Sequence, residues 1–131
     1  MHGRTAAVLA ACAGLILTGA SVSTAEAKVT GWYDCFNGNF CTWRNADANS
    51  MSTSHSNHPG APSTHYLVES NVITSYFNRG SQDAMLFDWN GRCYQLLARI
   101  GPGGWGNLPS TANDRTDVIK FGYASSLPGA C

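Results

Sequence analysis

His55-Ser56-Asn57-His58 places two imidazoles three residues apart, a spacing that could seat a zinc ion if the segment made one helical turn. Pro59 and the surrounding serines disfavour such a turn, so the segment reads as a solvated polar loop. Serine, histidine and aspartate are plentiful, but no Gly-x-Ser-x-Gly elbow and no His-Glu-x-x-His helix places them for catalysis. A small domain with few acidic groups also has little room for a cleft, and the expectation is that the chain is not an enzyme. Trp32, Tyr33, Trp43, Trp89 and Trp105 could stack against sugars, although most aromatics of a small β domain are core. Trp43 and Trp89 are expected inside. Trp105, framed by Gly103-Gly104 and Gly106, is expected on an exposed turn, either facing outward or folded back over a core edge.

Five cysteines set the compartment. Arg4, the apolar run Ala6–Leu17 and the small pair around Glu26 read as a secretory signal peptide over residues 1–27, cut after Ala27. The run is too short for a membrane span. Cys12 leaves with it. Cys35, Cys41, Cys93 and Cys131 remain, an even number in an exported chain, for which disulfides are the default. Four cysteines allow three pairings, and the sequence does not choose among them. The preferred one joins Cys35 to Cys41 across an Asn37-Gly38 turn and Cys93 to Cys131, tying down the tail. A zinc site on these cysteines lacks two close pairs or a nearby histidine.

Arg4 and Glu26 leave with the leader, one from each set of eight, so the mature net charge stays zero. That balance lacks the field that holds nucleic acid or an anionic membrane.

The elements that would carry these residues are short strands. No long stretch has a helical apolar period, and Gly, Asn, Ser and Thr are abundant. Strands are expected at 39–44, 65–69, 72–78, 84–89, 93–98 and 117–123, with turns at Asn78-Arg79-Gly80, Asn90-Gly91 and Gly101-Pro102-Gly103-Gly104. The polar segment 45–64 reads as a long loop or a poorly ordered strand pair. A phrase also recurs: Phe40-Cys41-Thr42-Trp43-Arg44-Asn45 is matched by Leu86-Phe87-Asp88-Trp89-Asn90-Gly91, and Asn71 by Asp114, at offsets of 46 and 43. Two copies of one unit, over about 32–80 and 81–124, would then share one core in an all-β domain, 28–131.

Three stretches carry a resemblance to a known family. Cys35-Phe36-Asn37-Gly38-Asn39-Phe40-Cys41-Thr42-Trp43, Ile73-Thr74-Ser75-Tyr76-Phe77-Asn78-Arg79, and Trp105-Gly106-Asn107-Leu108-Pro109 with Asn113-Asp114-Arg115 are similar to bacterial secreted metalloproteinase inhibitors of the βγ-crystallin fold. The resemblance implies a Greek-key sandwich of two motifs. It also implies a secreted, monomeric inhibitor of an extracellular peptidase, acting through a stiff loop held in the cleft as an added strand. The loop candidates are Gly101–Asn107, with Gly103, Gly104 and Trp105, and the segment following Cys93, with Tyr94. Family members that bind calcium carry paired Asn or Asp, two free positions, then Ser/Thr and Ser. Here Ser70-Asn71-x-x-Thr74-Ser75 lacks the first of these, and Asn113-Asp114-x-x-Asp117-Val118 lacks the last. Asp114 and Asp117 could offer two of the six to eight oxygens calcium wants. The simpler reading has Asn113 and Asp114 cap a turn, with Asp117 on a strand edge. The alternative function is a cell-envelope module binding glycan or protein, possible also in a calcium-stabilised form.

Overall fold

A computed structural model describes residues 28–122 and 127–131. The expected leader and the end of the last expected strand, at Tyr123, lie outside the described residues. A short 3₁₀ helix, Lys28–Asp34, precedes eight strands: β1 Asn39–Asn45, β2 Asn49–Ser56, β3 Thr64–Tyr66, β4 Ser75–Asn78, β5 Ala84–Trp89, β6 Tyr94–Ile100, β7 Trp105–Asn107 and β8 Val118–Phe121. All pairings among them are antiparallel, in two four-stranded sheets ordered β2-β1-β4-β7 and β3-β8-β5-β6. Each half of the chain gives its first, second and fourth strands to one sheet and its third strand to the other.

Three pairs of backbone hydrogen bonds recur in the two halves. Asn71 N donates to Thr116 O (2.9 Å), and Asp114 N donates to Ile73 O (3.0 Å). Thr74 N to Trp43 O (2.9 Å) is answered by Asp117 N to Phe87 O (2.8 Å), and Leu108 N to Thr74 O (2.8 Å) by Leu67 N to Asp117 O (2.9 Å). Asn71 and Asp114 both take the left-handed conformation, with φ of 61° and 55°, which Asn and Asp tolerate better than other side chains. β1 is irregular at Thr42/Trp43 and β5 at Leu86/Phe87. These pairs put Phe87, not Trp89, at the position equivalent to Trp43. Trp43 and Phe87 are buried, whereas Trp89 is 47% exposed at the end of β5, so its expected place in the core is corrected. The sequence match slips by two because the second copy carries its tryptophan two residues further along.

Between the sheets lie Phe40, Ile73, Leu86, Ile119 and Phe121, with Phe40 and Phe121 edge to face at 5.9 Å. The outer faces are apolar too. Cys35, Cys41, Trp43 and Ala48 cluster on one, Met85, Phe87, Val118 and Leu127 on the other. This explains the unbroken run Ala84-Met85-Leu86-Phe87: a strand buried on both sides needs no alternation. Each outer face is covered by a segment outside the strands, Trp32–Cys35 before β1 or Leu127 after β8, and each segment is pinned by a disulfide, Cys35–Cys41 or Cys93–Cys131. The preferred pairing is the one found. The tail also joins β6, with Tyr94 N donating to Gly129 O (2.8 Å) and Cys131 N to Tyr94 O (3.0 Å).

Segment 45–64, expected as a loop or a poorly ordered pair, instead holds β2, which pairs along the whole of β1. Its polarity misled because β2 is an edge strand with much of its surface in water. Its hydroxyls also replace apolar contacts. Thr53 and Thr42 bond through their Oγ1 atoms (2.7 Å), Asn39 Nδ2 donates to Ser54 Oγ (2.8 Å), and Ser54 donates to the disulfide sulfur of Cys41 (3.4 Å). Asn57, from the same polar segment, is fully buried. It donates from Nδ2 to Asn78 Oδ1 (2.9 Å), while Asn78 Nδ2 donates to the carbonyls of Gln82 and Ile100 (2.9 Å each). Gly80 is required beside this network, since a Cβ there would stand 2.4 Å from that of Asn57. Asn78→Ala strands several buried groups at once and should cost about 3 kcal/mol in urea unfolding, against under about 1 kcal/mol for Asn39→Ala at the half-exposed start of β1. Equal costs would contradict the bracing role.

Candidate functional site

The β5–β6 hairpin ends in a tip that is exposed and stiff. Asn90 Oδ1 accepts from the amides of Arg92 (2.9 Å) and Cys93 (3.0 Å), and Asn90 N donates to Cys93 O (3.2 Å). Gly91 has φ +98°, a conformation that a side chain would strain. Asn90 Nδ2 lies 3.8 and 3.7 Å from the sulfurs of Cys93 and Cys131. The base of the tip is therefore tied to the tail by a covalent bond. Aromatic rings flank it, with Trp89 4.9 Å from Tyr94 and Tyr66 6.2 Å from Tyr94 between ring centres. Val68, two residues past Tyr66, is fully exposed. No sequence signal singled out Val68 or Tyr66; the exchange of β3 into the second sheet brings Tyr66 to this face.

The expected loop residues fall in three settings. Tyr94 opens β6, an edge strand, and is hydrogen-bonded to the tail through both N and O. Gly103 and Gly104 form a tight turn, with Gly104 N donating to Gly101 O (3.0 Å) and Gly103 at φ +87°. Asn78 clamps that turn, its carbonyl accepting from Gly103 N (2.7 Å) and its amide donating to Gly104 O (2.8 Å). Trp105 is the first residue of β7 and is 61% exposed, facing outward as one of its two expected placements had it. The other side of its ring rests on Trp32, 5.1 Å away between centres.

The calcium candidates also serve the fold. Asp114 Oδ1 accepts from the Thr74 hydroxyl (3.2 Å), and Asp117 Oδ2 from Trp89 N (2.8 Å). Asn113 Oδ1 is buried without a partner. Among the described residues no three or more His, Cys, Asp or Glu side chains gather in metal-binding range.

His55 does not face His58. It lies on β2, where its ring stacks on that of His65 on β3 at 3.9 Å and 20°. The stack joins the edge strands of the two sheets. His65 Nε2 donates to Pro62 O (3.0 Å), its ring meets Phe121 edge-on at 5.5 Å, and His55 Nε2 is buried without a partner. Burial, followed by the charge of His65, lowers the His55 pKa from 6.5 to about 4.

No protein-family model, curated protein or solved structure matches the chain.

The folded protein resists the proton that the unfolded chain accepts near pH 6.5. The contribution of neutral His55 is thus whole above pH 6.5 and is lost as pH falls toward about 4. The melting temperature should drop across that window. His55→Phe, which keeps a stacked ring without the proton site, should flatten the part of the slope above pH 4.5. An unchanged slope would contradict the assignment.

Proposed function

We propose that the chain is a secreted domain of βγ-crystallin-like fold that inhibits an extracellular peptidase, acts as a monomer and catalyses nothing itself. The single observation that carries this reading is the rigid tip Trp89–Tyr94, exposed, disulfide-tied and flanked by rings. The strand order supports the fold: two like halves, each lending its third strand to the other's sheet, suit a pair of interlocked Greek-key motifs. The family resemblance of the opening cysteine ring and of the closing stretch supports the activity. Two disulfides agree with an oxidising compartment, and among the described residues no helix is long and apolar enough to cross a membrane.

The mechanism differs from the extended loop that the resemblance implies. A main chain already bonded to Asn90 and to the tail has few groups left to add a strand to an enzyme. The tip instead works as a wedge. Its turn is ordered before binding, so little conformational entropy is lost on entering a cleft. Trp89, Tyr66 and Tyr94 supply the large, stiff side chains that dominate binding interfaces.

The test is a panel of thermolysin-like metalloproteinases and subtilisin-like serine peptidases. Oxidised protein at micromolar concentration should inhibit at least one member, and Trp89→Ala should weaken that inhibition about 10-fold or more, as loss of an interface anchor does. Activity unchanged throughout the panel overturns the reading.

A further inference from the structure

Trp32, Tyr33, Phe77 and Trp105 line an open cleft of about 240 Å³ on the outer face of the first sheet. Trp32 is its floor and is held by three edge-to-face contacts, with Trp43 at 5.3 Å, Phe77 at 6.5 Å and Trp105 at 5.1 Å between ring centres. The planes of Trp32 and Trp105 stand at 66°, so the two indoles make a notch rather than a flat plate. Cys35, three residues after Trp32, fixes the segment to β1 through its disulfide. Tyr33 is 80% and Trp105 61% exposed, two large rings left in water beside one another.

From this cleft we infer a binding subsite for a neutral polysaccharide, distinct from the hairpin tip and independent of peptidase inhibition. Three features select that occupant. First, no lining residue is charged, and the nearby Arg79 guanidinium lies 5.5 Å over Phe77 and donates to Cys35 O (2.6 Å). The lining itself gives a charged ligand no ion pair. Second, the rings offer both halves of sugar recognition. Their faces suit the C–H side of a pyranose. Trp105 Nε1 is a donor and Tyr33 Oη both donor and acceptor, the groups that sugar hydroxyls pair with. Third, the dimensions fit a chain crossing the surface. The cleft is smaller than the ~300–1,000 Å³ that encloses a small-molecule ligand. Tyr33 and Trp105 together expose roughly 300 Å² at the ~200 Å² these rings carry, well short of the ~800 Å² per partner of a stable protein interface.

The inference places the sugar on one outer face and the peptidase tip on the other, because the tip's rings pack with the outer cluster of the second sheet. An inhibitor held on a wall polymer would thus keep its tip free.

The experiment uses the disulfide-intact protein, with cellulose and chitin as neutral polymers and alginate beads as the acidic control. Protein should be depleted from solution by at least one neutral polymer and not by alginate, and its tryptophan emission should respond to the matching hexasaccharide. Trp105→Ala and Tyr33→Ala should each lower the association constant about 10-fold, equal to ~1.4 kcal/mol. Trp105→Phe should retain most of it, and Trp89→Ala should leave it intact. Trp105→Ala should melt within a few degrees of the parent and still inhibit peptidase, which separates failure here from failure of the inhibitor reading. Lack of retention on both neutral polymers, or retention indifferent to both Trp105→Ala and Tyr33→Ala, overturns the proposal. So does a Trp105→Ala protein that loses peptidase inhibition, which would make the cleft a peptide-docking surface.

Discussion

A sandwich of two four-stranded sheets has three apolar layers to cover when its central strands are buried on both faces, and that requirement governs this molecule. β5 and β8 are buried at every position but the last two of β5, and β1 nearly so. Their outward side chains include Trp43, Met85 and Phe87, with Phe77 of β4 beside Trp43. Strands alone leave those layers in water. The body closes them with its own ends: Trp32 and Cys35 on one side, Leu127 on the other. Short terminal segments fray unless held, and the two disulfides hold them. In the loop-entropy account the small ring contributes about 2.4 kcal/mol and the longer loop about 3.9 kcal/mol. Against the 5–15 kcal/mol typical of a whole domain, these bridges decide whether the ends stay down.

Both candidate surfaces inherit that constraint. The aromatic cleft exists because Trp32 is laid across Trp43 and Phe77 by the first pinned end. The hairpin tip is stiff because Cys93 ties it to the second. Stability and recognition therefore share the same bonds, one set on each face. The duplication works in the same direction. Exchange of β3 and β7 between sheets, together with the reciprocal bonds of Asn71 and Asp114, means that neither half can bury its face alone.

Much of this was legible in the residues. The apolar runs at β1, β5 and β8 and the turns at Asn90-Gly91 and Gly101–Gly104 announced themselves, and the Asn-Gly turn between Cys35 and Cys41 favoured the pairing found. The offset of 43 links Asn71 and Asp114, which share a left-handed backbone. Trp89 misled because identity of residue type outweighed register. β2 was hidden because an edge strand can satisfy itself with hydroxyls, and Ser and Thr read as loop. The His55–His65 stack depends on two edge strands from different sheets meeting, which no local spacing encodes. Turn residues mark a bend, but whether its amides are free depends on what lies alongside, here Asn78 and the tail.

Amide hydrogen exchange on the protein with Cys93 and Cys131 both changed to serine tests the account most directly. Loss of that bridge should free the tail and raise exchange at Tyr94, then at the strands whose outer side chains Leu127 covers, around Met85, Phe87 and Val118. β1 and β4, under the other pinned end, should keep their protection. Protection unchanged in both sheets, or lost equally from both, would contradict the claim that each chain end closes its own face.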